Sequence, residues 1–497
     1  MNRMLPPISG EITEIERVLH RLNRRWSAHV LSLWQGEAPE AAPYEIYDGY
    51  EELLRLSTLA KLAAVQDPRR RRSLQHALMD HYLQQMLLPH ELEMRTWMRG
   101  ARANVDGEKI GFQEVIPWCQ TSSTYAKRQA LQKETTALCR FLKPFALNHW
   151  QVLLSAIRDD LGFDGYIDYC SHKHGIDYAR WYPVMTAFLE QTDALYFEEM
   201  GRWCERRFQR PMSELTRFDS INLLSLGEFD GSCPRRPPGE SLGFFAHWGL
   251  KLEDLPGLHL DLRREKQHAQ ALSVFVDIPG SVHILMRPQG GWIDIESLWH
   301  ELGHGLSAVF TDSTLPAFIR NMSTNYSLSE AYAFLLQNMA MSRPFLTRQM
   351  GVPPADADRL LGCKALRDLA VFRRYAAKFI AEIDMFSRGD LADSEPYARL
   401  MQRYTGFYHQ PESHLFDLVP EFYSLNYLLG WMGEASLEKA LRHRWGRAWM
   451  FAPEAGNQLR KWWYLGTRYD IFQFLERHRL EPLQTDLLLD RWFGGAV

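Results

Sequence analysis

The sequence predicts a predominantly α-helical fold with one small antiparallel β-hairpin or sheet. Two observations carry this prediction. Apolar residues recur at steps of three and four over most of the chain, and they alternate at steps of two only between residues 272 and 286. Steps of three and four place side chains on one face of a helix, whereas alternation is typical of a half-buried strand.

The N-terminal half is predicted to consist of long helices. The first begins at Ile12 and ends near Gly36, which is suited to a C-terminal cap. The segment DPRRRRS at 67–73 is predicted as a solvated turn rather than a phosphate site. A loop is predicted around 103–118. The other helices of this half are predicted over 49–66, 73–99, 123–158 and 178–207.

The hairpin is predicted from the alternation of apolar and polar residues on both sides of a turn. The first strand runs over 272–278, Pro279-Gly280 forms the turn, and the second strand runs over 282–286. The prolines of CPRRPPGES at 233–241 predict a loop, because proline removes a backbone donor. From residue 294 onwards the pattern again predicts mostly helix.

Length and charge limit the kind of protein. A chain of 497 residues is long enough for two or three domains, and the change of character after residue 215 predicts lobes over 1–215 and 216–497. Lys plus Arg number 57 against 61 Asp plus Glu, which gives a formal charge of -4. This balance argues against nucleic acid or an anionic membrane as the main partner.

Three further observations predict a cytoplasmic protein. The first 16 residues reach proline and glutamate before an apolar run forms, which predicts that no signal peptide is present. No window approaches the ~18 to 20 apolar residues that a membrane helix needs. The six cysteines show no C-x-x-C spacing and are predicted to be reduced packing residues.

Residues 294–310, DIESLWHELGHGLSAVF, predict an amphipathic helix that carries an H-E-x-x-H motif. Asp294 is its predicted N-cap. His300 and His304 are one turn apart, so both imidazoles leave the same face and can bind one metal ion. Glu301 lies one position round the helix, near the open coordination position without being a ligand. The alternative is two histidines on a packed helix face.

Two glycines within the motif favour the metal site over ordinary packing. Gly303 and Gly305 each cost about 1 kcal/mol relative to alanine inside a helix. Their presence predicts that another part of the molecule approaches the helix backbone closely. The hairpin that precedes the motif also supplies an edge strand on which an extended peptide can pair.

A third ligand is predicted in the helix over 325–340. Glu330 follows His304 by 25 residues, not counting either, and its carboxylate would complete a His2Glu set with one position left for water. The alternative is a capping box, Ser327-x-x-Glu330, in which Glu330 reaches back to the amide of Ser327. Considered together with the H-E-x-x-H motif, the ligand interpretation is favoured.

These motifs resemble the M3 family of zinc metallopeptidases, the thimet oligopeptidase and oligoendopeptidase F group. The resemblance rests on HELGHG, SLSEAYAF, the hairpin VFVDIPGSVHILMRPQGG and PEFYSLNYLLGWMGEASLEKAL at 420–441, and it covers about 240–450. The N-terminal half is similar only in being helical. The resemblance implies a gluzincin-type zincin fold, with two lobes around a deep channel, zinc at its floor and oligopeptides as substrates.

The resemblance implies roles for four residues of the motifs. His300, His304 and Glu330 match the ligands of one zinc ion per chain, and Glu301 matches the general base. Residues 216–497 would then form the catalytic domain. The implied function is a zinc metalloendopeptidase that hydrolyses short unfolded oligopeptides.

Tyr423 and Tyr427 are four residues apart on one predicted helix face. They match two tyrosines that in the family face the substrate and the oxyanion. The alternative is ordinary packing, because aromatic residues at helical spacing usually belong to a core.

Three positions depart from the family pattern. A further tyrosine position of the family falls on Gly430, and its histidine position falls on Leu418 or Asp417. The usual glycine-rich stretch before the tyrosines is replaced by LVPEF. His414 is a candidate substitute for the missing histidine, and a surface histidine in the HQPESH loop is the favoured alternative.

Two other functions stay open from sequence. One is a dedicated protease that matures a leader peptide or a single partner by the same chemistry. The other is a non-catalytic helical scaffold that binds peptides, although all four residues of the implied zinc chemistry are present. Cleavage preference, endopeptidase or exopeptidase action and oligomeric state are not determined by these patterns.

Overall fold

The computed structural model describes residues 11–121, 124–233, 238–262 and 271–494. This part of the chain is mostly helical, as predicted. Its α-helices are α1 Ile12–Trp34, α2 Leu56–Leu62, α3 Pro68–Gly100, α4 Val115–Thr121, α5 Tyr125–Ser155, α6 Tyr166–His174, α7 Tyr178–Phe208, α8 Arg217–Leu224, α9 Trp292–Val309, α10 Ala317–Arg320, α11 Ser327–Ala340, α12 Pro354–Arg388, α13 Glu395–Thr405, α14 His414–Asp417, α15 Tyr423–Trp445, α16 Pro453–Trp463, α17 Ile471–Arg477 and α18 Asp486–Phe493.

Among the described residues, five strands form two small sheets. The strands are β1 Arg102–Val105, β2 Glu108–Gly111, β3 Leu258–Asp261, β4 Ala271–Asp277 and β5 Ser281–Met286. The predicted hairpin is confirmed, with β4 and β5 antiparallel. The sequence pattern missed β3, which pairs in parallel with the other edge of β5. The order β3-β5-β4 leaves β4 at the edge of its sheet.

The loop predicted around 103–118 is wrong in its first part, which forms the antiparallel hairpin of β1 and β2. Asp106 and Gly107 join the strands with φ of 52° and 86°. Two positive φ values are what a two-residue hairpin turn needs, and Asp-Gly is a strong signal for it. The strands are only four residues long, so the alternation that identifies a strand is hard to see.

The turn predicted at 67–73 is also wrong, because α3 begins at Pro68. Proline has no backbone N–H to satisfy, and its fixed φ suits the first position of a helix. The Asp67 carboxylate accepts hydrogen bonds from the amides of Arg69 and Arg70. The arginine run therefore lies in the first turns of a helix. The helix predicted over 49–66 is shorter and covers only α2.

The CPRRPPGES loop predicted at 233–241 lies partly outside the described residues, which resume at residue 238. From there, residues 238–248 form a 3-10 helical segment. No helix of the described chain is both long and apolar enough to cross a membrane. Four of the six cysteines are buried, as expected for packing residues.

The chain divides into two compact units that each combine several segments. The first comprises 1–88, 233–357 and 429–483, and the second comprises 89–232, 358–428 and 484–497. Both units thus draw residues from the two halves of the sequence. The boundary predicted between residues 215 and 216 lies inside the second unit.

Each unit has its own apolar core. In the first unit, α1, α2 and the start of α3 pack with the segment around α10. In the second, the β1-β2 hairpin packs with α4, α5 and α8. The core of the first unit includes Ile15, Leu19, Leu22, Leu53, Leu62, Leu74 and Phe318, and that of the second includes Ala103, Val105, Ile110, Cys119, Leu131 and Phe218.

Candidate metal centre

Helix α9 carries the H-E-x-x-H motif and lies in the first unit. It begins after Gly291, whose φ of 88° is accessible to glycine, so the predicted N-cap at Asp294 is wrong by one turn. The Asp294 carboxylate instead accepts hydrogen bonds from the amides of Gln289 and Gly290. This arrangement fixes the connection between β5 and α9, and with it the start of the motif helix.

The side chains of His300, His304 and Glu330 converge on one point. Their ligand atoms all lie within 4.8 Å of one another. The Glu330 carboxylate oxygens lie 3.5 Å from Nε2 of His300 and 3.6 Å from Nε2 of His304. Glu330 is 2% exposed.

Helix α11 has Tyr326 as its N-cap, so Ser327 does not hold the position that the capping-box alternative requires.

The other ring nitrogen of each histidine has a partner on α11. Nδ1 of His300 lies 2.9 Å from Oε1 of Gln337, and Nδ1 of His304 lies 2.8 Å from Oγ of Ser329. These contacts orient both rings so that Nε2 faces Glu330. Sequence reasoning missed both partners, although Gln337 follows Glu330 by seven residues, two turns along the same helix face.

Gly303 brings α9 and α11 into backbone contact. A Cβ atom at this position would lie 2.4 Å from Cα of Ala333 and 2.4 Å from the carbonyl oxygen of Tyr332. At Gly305 the Cβ would lie 2.6 Å from Cδ1 of Ile284 on β5. The expectation that other parts of the molecule approach this backbone is confirmed, and each glycine faces a different neighbour.

Glu330 is supported from behind by α15. A Cβ atom at Gly430 would lie 2.4 Å from Cβ of Glu330, and one at Gly433 would lie 3.3 Å from Cβ of Ala331. Gly430 stands where the M3 family carries a further tyrosine. The space that a side chain at this position would need is filled by α11. A larger side chain at residue 430 would displace Glu330.

An aromatic stack connects α15 to the site. The rings of Trp431 and Phe334 are nearly parallel, 4.7 Å apart, and Phe334 contacts His300 edge to face at 5.1 Å. Stacked and edge-to-face pairs each contribute about 0.5–1.5 kcal/mol beyond the area that they bury. The stack therefore restricts the orientation of the His300 ring.

Glu301 lies beside the three converging side chains and contacts strand β4. The hydroxyl of Ser273 donates to its carboxylate at 2.6 Å and lies 3.3 Å from its backbone oxygen. The contact orients the carboxylate and connects the motif helix to the edge strand. Ser273 was missed from sequence because a polar residue in an alternating strand is expected to face solvent.

The pKa values of the two histidines are shifted in opposite directions. Burial disfavours the charged form of His300, but the Glu330 and Glu301 carboxylates and the contact with Gln337 together outweigh it, so the pKa of His300 is raised. For His304 burial dominates and the neighbouring His300 adds to it, so its pKa is lowered.

Tyr423 and Tyr427 lie in the second unit. Tyr423 is the first residue of α15, and Tyr427 follows it in the next turn. The centroids of their rings lie 5.0 Å apart, and the ring of Tyr427 lies 4.9 Å from that of Tyr375. Both are partly exposed. Their role in chemistry stays a prediction.

The segment before Tyr423 adopts left-handed backbone without glycine. Glu421 and Phe422 have φ of 58° and 53°, conformations that cost about 1–2 kcal/mol for such residues. The Glu421 carboxylate binds Lys173 at 2.7 Å, and its amide donates to the hydroxyl of Tyr166 at 2.7 Å. These contacts stabilise the left-handed backbone at Glu421 and Phe422. LVPEF would not favour this conformation by itself, because it lacks the glycines of the stretch that it replaces.

The favoured interpretation of His414 as a surface histidine is wrong, since it is 1% exposed in the second unit. Its ring nitrogens lie 3.0 Å and 2.9 Å from the carbonyl oxygens of Pro411 and Leu391. Neighbouring Asp417 is half-buried and accepts from the hydroxyl of Tyr397 at 2.8 Å. Both residues thus have structural partners within their own unit.

Comparison of the chain with protein-family models and with curated proteins gave no match. The resemblance to the M3 family therefore rests on the motif residues and their spacing alone.

Gly303→Ala should destabilise the protein by about 1–3 kcal/mol, because the new methyl group would overlap the backbone of α11. Gly362→Ala is the matched control. Gly362 lies within α12 with open space around its Cβ position, so alanine there should stabilise by about 0.4–1 kcal/mol. Thermal unfolding of both variants measures the difference. Equal shifts for the two would contradict the close contact of α9 and α11.

Proposed function

We propose that this protein is a zinc-dependent metallopeptidase that hydrolyses internal peptide bonds of short, unfolded oligopeptides. The observation that carries the proposal is the convergence of two imidazole Nε2 atoms and a buried carboxylate, with Glu301 beside them. The M3 resemblance adds the zincin fold, with two lobes around a channel and oligopeptides as substrates, as part of the proposal.

The distances between the three side chains fit the ligands of one zinc ion better than a cluster held by direct hydrogen bonds. Two donors at ~2.1 Å from one ion in tetrahedral geometry lie roughly 3.4 Å apart. The separations of 3.5 and 3.6 Å are close to that value and longer than the ~2.7–3.2 Å of a good N–H···O hydrogen bond. Two histidines and one glutamate are also a known ligand set of catalytic zinc.

The protein environment supports imidazoles held in one orientation. Metal-binding histidines usually hold their second ring nitrogen in a hydrogen bond, which fixes the tautomer and raises ligand basicity. Gln337 and Ser329 are placed to do this for His300 and His304. The buried Glu330 carboxylate would balance the charge of a divalent ion in a site with little solvent.

Bound zinc would lower the pKa of a coordinated water to about 7 and polarise the scissile carbonyl. Glu301 accepts one proton from the attacking water as general base. The water oxygen forms a bond to the carbonyl carbon, the C–N bond breaks, and Glu301 returns the proton to the leaving amine. Ser273 holds the Glu301 carboxylate in place by donating to one of its oxygens.

The substrate backbone would pair along the free edge of β4. In the described chain β4 pairs with β5 on one side only, and an extended peptide can add to such an edge through main-chain hydrogen bonds. Ser273 lies on the same strand, so the peptide and the general base would share one positioning element. Tyr423 and Tyr427 are proposed, by resemblance, as donors to the oxyanion.

The most direct test is digestion of a synthetic peptide pool followed by mass spectrometry. Short peptides should be cleaved at internal bonds, and a chelator such as 1,10-phenanthroline should abolish cleavage until zinc is restored. A folded globular protein should remain intact. A single cleaved sequence in a diverse pool would favour the dedicated processing enzyme, whereas peptide binding without any cleavage would favour the scaffold.

Glu330→Gln should remove most of the bound zinc, because an amide oxygen is neutral and a weaker ligand than a carboxylate. Purified wild-type protein should contain about one zinc per chain by elemental analysis. Glu382→Gln is the control, since Glu382 is also a buried carboxylate but lies in the second unit. Full zinc occupancy in Glu330→Gln would show that Glu330 is not a ligand.

Glu301→Gln should keep its zinc and its fold while losing activity by about 10²- to 10⁴-fold, the usual contribution of a general base. Glutamine has nearly the same shape and cannot accept the proton. Glu296→Gln on the same helix is the matched control and should retain activity. Peptide hydrolysis by Glu301→Gln at a near wild-type rate would contradict the mechanism, whatever its zinc content.

A further inference from the structure

A cavity of about 390 Å³ lies within the first unit beside the candidate metal centre. Its size is within the ~300–1,000 Å³ range of ligand pockets. Helix α1, strand β4, the end of α9, the start of α11 and the segment 463–469 contribute its walls. The function proposed above does not explain why helix α1 covers this space.

The cavity begins at the metal centre itself. His304 and Ser329, which contact each other through Nδ1 and Oγ, both line it. Ser307 and Ala308 continue the lining along α9, away from His300. A group bound in the cavity would therefore lie next to the bond that the site is proposed to cleave.

The cavity also follows the edge of β4. Leu272, Ser273, Val274 and Phe275 all line it, although successive side chains of a strand point to opposite faces. Four consecutive residues can share one cavity only if it runs along the strand edge. This edge is the unpaired one, so a peptide paired with β4 would direct its side chains into the cavity.

The chemistry of the walls favours a large uncharged side chain. No aspartate or glutamate is among the described residues that line the cavity. Its one arginine, Arg320, donates to the carbonyl oxygens of Leu315 and Ile278 and lies 3.9 Å from Asp277. A lysine or arginine side chain would therefore find no carboxylate. The aromatic lining residues are Trp34, Phe275, Tyr326, Tyr332, Trp463 and Tyr469.

We propose that this cavity is a specificity pocket that accepts a bulky aromatic side chain of the peptide substrate next to the cleaved bond. Helix α1 closes the pocket through Ser27, Val30 and Trp34. The N-terminal helix thus determines which peptides are cleaved, although it contributes nothing to the metal centre. The inference rests on the proposed peptidase function.

Ser27→Trp tests the pocket because it adds an indole to the cavity wall from α1. Ser32→Trp is the matched control, since Ser32 lies on the same helix but not in the cavity lining, and the substitution changes helix propensity equally. Peptides that differ only in having Phe, Ala or Lys at each position next to the cleaved bond are compared by kcat/KM.

Wild type and Ser32→Trp should prefer Phe over Ala by about 10- to 100-fold at one position, and should disfavour Lys there. Ser27→Trp should reduce the preference for Phe to less than about threefold, through a lower kcat/KM for the Phe peptide. Labelled Phe and Ala peptides bound to Glu301→Gln protein, measured by fluorescence anisotropy, should show the same preference in affinity without catalysis.

The outcomes separate the two proposals. Absence of any hydrolysis by wild type would refute the peptidase function. Hydrolysis with the same preference in wild type and Ser27→Trp would refute the pocket and leave the peptidase function standing. A preference for Lys, or for a free terminal carboxylate in place of the aromatic side chain, would also overturn the pocket as described.

Discussion

The backbone contact between α9 and α11 at Gly303 is the constraint on which the rest of the site depends. A single methyl group at this position would overlap the backbone of Ala333, so the two helices can approach this closely only with glycine. The approach brings Glu330 to 3.5–3.6 Å from both histidines and places Ser329 and Gln337 against their other ring nitrogens. The three candidate ligands and their orienting partners thus come from one helix pair.

Helix α15 packs closely against this arrangement. Gly430 lets α15 contact the Cβ of Glu330, and Trp431 stacks on Phe334, which in turn contacts His300. The buried Glu330 carboxylate lies between two half-buried imidazoles, and its attraction contributes to raising the pKa of His300 against the effect of burial. Close packing on three sides holds the groups in place, which is what a preorganised catalytic site requires.

Strand β4 connects the proposed chemistry with the proposed recognition. Ser273 holds Glu301, and the same residue lines the cavity that α1 closes. The proposed general base, the peptide-binding edge and the specificity pocket would therefore all depend on one strand of seven residues. The unit that contains them also draws on the first 88 residues of the chain, so the N-terminal helices are part of the site's surroundings rather than a separate domain.

The sequence by itself determined those features that depend on the spacing of residues along one helix or strand. One turn between His300 and His304, the cost of glycine within a helix and the alternation in β4 and β5 predicted the motif helix, its close neighbour and the hairpin. Short elements such as β1 and β2 were missed, because a strand of four residues is too short to show a clear alternation of apolar and polar residues. Only the tertiary structure argued against the capping interpretation of Glu330 and placed its carboxylate beside the two histidines. Only it identified Gln337, Ser329 and Ser273 as partners and showed His414 to be buried. Those properties depend on which surfaces of distant segments meet, and spacing along one helix or strand does not specify that.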